Sequence, residues 1–193
     1  VYYLPGRLLH TNVMGSALFA AVSGSSAATT ATVGKITTTE LLKRNYSKSL
    51  AFGSLAGAGS LGLLIPPSIV LIVYGVLAEV SISRLFAAGV YPGILIATLY
   101  SGYIMIRCLI NPSLAPTLED KPTFKDIAFG LINLIPITIL IIIVLGSIYS
   151  GIATPSEAAA VGVLATLVLT VLTRQLSMEV FLDSLMGAVR TSC

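Results

Sequence analysis

Charged residues fall in clusters along this chain, and five long stretches between them carry none: residues 11–34, 50–78, 85–106, 127–156 and 158–173. A helix that crosses a 30 Å hydrocarbon core needs about 20 residues. Residues 85–106 fit one such crossing, flanked by Arg84 and Arg107. Residues 127–149 fit another, kinked at Pro136 and apolar on every side over 137–144 (ITILIIIV). The last run is short, but Thr154-Pro155-Ser156-Glu157 reads as a capping box with proline at the first helical position. It extends the predicted helix to residues 155–173 and gives Glu157 the work of a cap, ahead of a direct ion or proton role.

Two runs do not read as simple crossings. The centre of 11–34 is Ser23-Gly24-Ser25-Ser26-Ala27-Ala28-Thr29-Thr30, five hydroxyls and a glycine in eight residues. Non-helical backbone at membrane depth must be buried in protein or line a cavity. Two arms of about 11 residues reach about 16 Å, roughly the midplane. A re-entrant hairpin with its tip at Ser23–Ser26 fits this pattern, and a small-residue packing helix is the alternative. The 50–78 run is too long for one perpendicular crossing and is interrupted by Pro66-Pro67, the first of which pushes Ile65 out of the helical region. With Gly53, Gly57, Gly59 and Gly62 upstream, it predicts two half-helices, residues 50–63 and 68–78, joined by unwound backbone; a proline kink is the alternative. Broken helices of this kind offer carbonyls to a cation and a half-helix N-terminus, here at Ser68, to an anion.

Composition sharpens this picture. Of 193 residues, 55% are hydrophobic and only 10% charged, with a mean hydropathy of +0.96. A soluble domain carries about 25% charged residues. The fold class is therefore all-α integral membrane, a polytopic helical bundle, and a soluble enzyme or nucleic-acid partner is excluded. With a hairpin first, ten basic residues share one face and Arg84 alone lies on the other; a full first crossing would make it nine against two. Either way the basic face is cytoplasmic. Thr37-x-x-Glu40 is expected to cap a short helix over 38–47, residues 111–126 to form a cytoplasmic loop, and Leu176, Val180, Phe181, Leu185 and Met186 to mark an amphipathic segment from Arg174. His10 is expected to flank the first run at the interface, and Cys108 and Cys193 lack metal-binding spacing. Intramembrane hydrolysis would want a Ser–His pair, a carboxylate pair or HExxH; none is present, so the chain is not expected to be an enzyme. Nor are there rings of like residues to line a channel.

Three stretches in succession, SALFAAVSGSSAATTATVGKI (16–36), LGLLIPPSIVLIVYGVLAEVSISRLFAAGVYPG (61–93) and SGIATPSEAAAVGV (150–163), strongly resemble the large membrane (permease) subunit of the tripartite ATP-independent periplasmic (TRAP) transporters, DctM-like. The resemblance runs across the chain and implies that it is part of a longer protein, a fragment of an inverted-repeat fold whose second hairpin lies elsewhere. It implies an elevator-type transporter of the bacterial or archaeal inner (cytoplasmic) membrane, importing a small organic acid such as a C4-dicarboxylate or sialic acid by sodium symport. A small membrane subunit and a periplasmic substrate-binding protein would be its partners. A stand-alone sodium- or proton-coupled carboxylate carrier of related hairpin architecture is the second reading. Carried over position by position, residues 1–78 would belong to the transport domain, 79–126 would be a transmembrane helix and cytoplasmic loop, and 127–193 would hold two scaffold-like helices and the start of a further amphipathic one. Ser23, Gly24, Ser25 and Ser26 with Gly62, Ile65, Pro66, Pro67 and Ser68 would form the ion and substrate site. No cofactor is implied; sodium, as the coupling ion, would sit on the Ser23, Ser25 and Ser26 hydroxyls and the backbone from Gly62 to Pro67. Where family members often carry an acidic residue shortly after the tip, this chain has Thr29 and Thr30.

Overall fold

The computed structural model describes residues 4–116 and 124–192. These hold eight α-helices and no strands: α1 (His10–Ser23), α2 (Ser26–Lys43), α3 (Lys48–Gly59), α4 (Ile69–Leu77), α5 (Ile82–Ile110), α6 (Phe124–Tyr149), α7 (Pro155–Leu172) and α8 (Met178–Ser192). Residues 117–123 of the expected 111–126 loop lie outside the described residues. The chain divides within α6 into two compact units, Val1–Ile137 and Thr138–Cys193.

In the first unit, α1 and α2 form a helical hairpin. Gly24 ends α1 in the left-handed region (φ 60°), where glycine has no Cβ penalty, and its N–H donates to Ala20 O at 2.9 Å. Ser25 is extended and caps α2, its Oγ accepting from Ala28 N at 3.4 Å. The turn is therefore two residues long. α3 lies against both arms and α5 against α1, α3 and α4. Leu9, Val13, Ala20, Leu41, Leu50, Ala51, Ala58, Leu61 and Ile104 form their common core. Asn12 on α1 is fully buried and ties α1 to α3, its Nδ2 donating to Ala51 O (3.0 Å) and Ser54 Oγ (2.8 Å).

The 50–78 run is interrupted. α3 tightens into a single 3-10 turn over Ser60–Leu63, residues 64–68 are not helical, and α4 starts at Ile69. The Pro66–Pro67 peptide bond is cis. α5 is longer than one perpendicular crossing needs, at about 43 Å for 29 residues, and absorbs Pro92 in its interior. α5 and α7 are both long and apolar enough to cross a bilayer, and Leu134–Tyr149 of α6 is a shorter apolar stretch. Their large aliphatic side chains, Leu95, Leu99 and Ile106 on α5 and Val163, Leu164 and Val168 on α7, are exposed, as lipid-facing residues are.

In the second unit Thr154 and Glu157 close a capping box at the start of α7. Thr154 N donates to Glu157 Oε2 at 2.7 Å and Glu157 N to Thr154 Oγ1 at 3.4 Å. α8 is amphipathic and runs from an N-terminal turn in which Val180 N donates to Ser177 Oγ at 3.2 Å.

Two local expectations fail. No helix starts at Thr38: α2 runs unbroken to Lys43, and the Thr37 hydroxyl that would cap a new helix donates back to Val33 O (2.9 Å), as Thr38 Oγ1 does to Gly34 O. Glu40 pairs instead with Arg44 one turn on, at 2.6 Å. His10 is 3% exposed and does not sit at a free interface; the preceding turn folds over it and its Nε2 bonds Pro5 O at 2.8 Å.

Candidate functional site

The tip of the hairpin and the break in the second long run are 38 residues apart between Gly24 and Gly62, yet they touch backbone to backbone. Gly24 lies so close to Pro67 that a Cβ would run into Pro67 O. Gly62 lies against the other side of the turn; a Cβ there would sit 2.8 Å from Ser25 C and Ser26 N and 2.9 Å from Ser25 O. Ile69 N, the first amide of α4, donates to Gly24 O at 3.3 Å. A further close approach backs these two, since a Cβ on Gly59 would overlap Thr30 Oγ1.

The polar groups at this junction are hydroxyls and carbonyls. Ser23 Oγ shares a 3.0 Å hydrogen bond with Thr29 Oγ1 and donates to Ser25 O at 3.4 Å. Thr30 Oγ1 donates to Ser26 O at 2.8 Å. Ser68 is fully buried and its Oγ donates to Leu63 O at 2.8 Å, so the hydroxyl that the sequence offers to an anion bridges the break itself. Ile65 turns the other way, its Cγ1 3.0 Å from where a Cβ on Gly93 of α5 would stand. No Asp, Glu, Lys, Arg or His occurs in residues 11–34 or 50–78. Among the described residues no three His, Cys, Asp or Glu come together. A cation held here would be bound by neutral oxygens, which suits a monovalent hard ion better than a divalent one.

The family described as "Tripartite ATP-independent periplasmic transporter, DctM component" matches residues 3–193. The chain belongs to this family. A C4-dicarboxylate TRAP transporter large permease protein from Vibrio cholerae is 40% identical over 83% of this chain and 35% of its own length. A sialic acid TRAP transporter large permease protein from the same species is 34% identical over the whole chain and 44% of its length. An ectoine/5-hydroxyectoine TRAP transporter large permease protein from Ruegeria pomeroyi is 37% identical over 89% and 40%. The chain thus spans less than half the length of the curated relatives it matches, and these relatives are transporter permeases.

Within this chain the structure brings Ser23, Gly24, Ser25 and Ser26 together with Gly62, Pro67 and Ser68, and Pro66 is fully buried. Thr154 and Glu157 are on α7 in the second unit. Thr29, which stands in this sequence where family members often carry an acid, is fully buried and bonded to Ser23 Oγ, and the α5 glycines that admit the break were not anticipated. A Cβ on Gly89 would come within 2.7 Å of Leu64 O. The signals were present: Thr29 lies one helical turn after Ser25, and Gly89 and Gly93 are spaced i, i+4 on one helix face.

Proposed function

We propose that this chain supplies the first sodium site, and one side of the substrate site, of a large permease subunit that imports a small organic acid by sodium symport. The observation that carries the proposal is the seating of the Gly24–Ser25 turn in the unwound backbone between Gly62 and Ser68. Unwound backbone frees carbonyls from helical pairing, and the turn adds hydroxyls, which together give a cation several oxygens without a carboxylate. The substrate class follows from the relatives' named cargoes: C4-dicarboxylate, sialic acid and ectoine share a carboxylate. In this reading α1 and α2 form a re-entrant hairpin open to the cytoplasm, and the hairpin with the broken helix moves as the carrier of an elevator. The subunit resides in a bacterial inner membrane, beside a small membrane subunit, and receives substrate from a periplasmic binding protein.

Sodium titration of uptake tests the site. Ser26 Oγ has no hydrogen bond among the described residues, so Ser26→Ala removes a ligand and little else. Ser25→Ala also removes the α2 cap, worth about 1 kcal/mol of stability. Each should raise the sodium concentration for half-maximal uptake at least about tenfold, as the loss of one bond to a charged group does. Unchanged sodium dependence in both, with normal amounts of permease in the membrane, overturns the assignment. Topology has its own test. Single cysteines replacing Arg7 and Lys35 should both react with an impermeant thiol reagent from the cytoplasmic side; reaction from opposite sides would show a full crossing.

A further inference from the structure

A groove of about 520 Å³ runs between α3 and α5 in the first unit, lined by no residue of the tip or the break. Its two ends differ in chemistry. At one end stand Ser47 and Ser49, at the start of α3, and Arg107, in the last turn of α5. From there Gly53 on α3 leaves an open trough with Tyr103 among the side chains of the opposite wall, and the Tyr100 ring closes its far end over Gly57, 3.3 Å from where a Cβ would stand. The Arg107 guanidinium is exposed, and so are Lys43 and Lys48 near the same end. The one ion pair among the described residues joins Arg44 to Glu40 and leaves these three cations unmatched there.

We propose that this groove binds one anionic phospholipid of the cytoplasmic leaflet, with its phosphate at Arg107 and the Ser47 and Ser49 hydroxyls and the start of an acyl chain along Gly53 as far as Tyr100. The proposal rests on the membrane topology given above, which puts the basic end of α3 and α5 at the cytoplasmic surface. Charge complementarity selects the head group, since a guanidinium matches a phosphate in two-pronged geometry and a cytoplasmic leaflet presents anionic lipid there. The trough beside Gly53, with Leu50, Leu99 and Ile104 in its lining, selects a lipid over a free anion, whose interactions would end at the basic rim. Glycine at position 53 keeps the trough open, and nothing lies within 4 Å of where its Cβ would be.

The test is native mass spectrometry of the full-length permease in detergent, titrated with phosphatidylglycerol or with phosphatidylcholine of the same acyl chains, without sodium or substrate. The wild type should hold one phosphatidylglycerol about fivefold more tightly than phosphatidylcholine, the effect of one basic residue near an anionic head group. Arg107→Gln should erase that preference. Gly53→Leu should weaken both lipids at least fivefold by filling the trough, with the melting temperature unchanged because the side chain enters open space. Equal binding of the two lipids by the wild type overturns the proposal. So does a lowered melting temperature in Gly53→Leu, which would show that protein covers the groove. Because binding is read without transport, a failure of sodium coupling leaves this result standing, and the reverse also holds.

Discussion

Alanine at Gly24 or at Gly62 should reduce uptake at least tenfold while the permease still reaches the membrane in normal amount. Gly24 combines two constraints. Its φ of 60° disfavours any side chain by about 1–2 kcal/mol, and its Cβ would run into Pro67 O. Gly62 lies in the 3-10 turn before the break with no positive φ, but its Cβ would meet Ser25 C and Ser26 N at 2.8 Å. Those are backbone atoms, so no side chain can swing aside to make room. Either substitution must push the tip out of the break and separate the oxygens proposed to hold the ion. A shift of 1 Å exceeds what a site built on fixed geometry tolerates. The control is Gly102→Ala on α5, where nothing lies within 4 Å; it should transport as the wild type does and gain a little helix stability. Wild-type uptake by Gly62→Ala would mean that the contact between tip and break does not matter to transport.

Replacing sodium by choline should bring uptake by the complete transporter to background, and an imposed proton gradient should not restore it. A carboxylate entering against a negative interior loses about 2.3 kcal/mol per charge per 100 mV, and each cation moving with it gains the same amount. Two or more sodium ions therefore outweigh one or two carboxylates. Protons could substitute only through a group that titrates, and neither the tip nor the break contains one. Uptake driven equally well by protons in sodium-free buffer would place the coupling elsewhere in the protein and remove the site proposed here.

Much of this arrangement was legible because its signals are local. Gly24 and Ser25 end one helix and start the next through their own backbone preferences, and Pro66-Pro67 interrupts a helix by removing donors. Thr154 and Glu157 form their cap within one turn. What could not be read depends on distant partners or on competition between local options. Thr37 and Glu40 have capping-box spacing, yet Thr37 bonds back to Val33 O and Glu40 pairs with Arg44 at the C-cap of α2, so neither side chain caps a new helix. His10 looks like an end-flanking residue until the turn before it folds back. The tip and the break are each visible as irregularities, but their union needs close approach at Gly24, Gly59 and Gly62, and an isolated glycine does not announce what it will touch.

The bond from Ile69 N to Gly24 O makes the second half-helix depend on the first hairpin for its start. Ser68 offers α4 no side-chain cap, because its hydroxyl is committed to Leu63 O. A hairpin that hinged open alone, like a gate, would strand this amide where water is scarce, at several kcal/mol for an unsatisfied group in hydrocarbon. The two are better described as latched. Exposure of the junction to either side of a membrane would then need hairpin and half-helix to travel together, with the latch closed throughout.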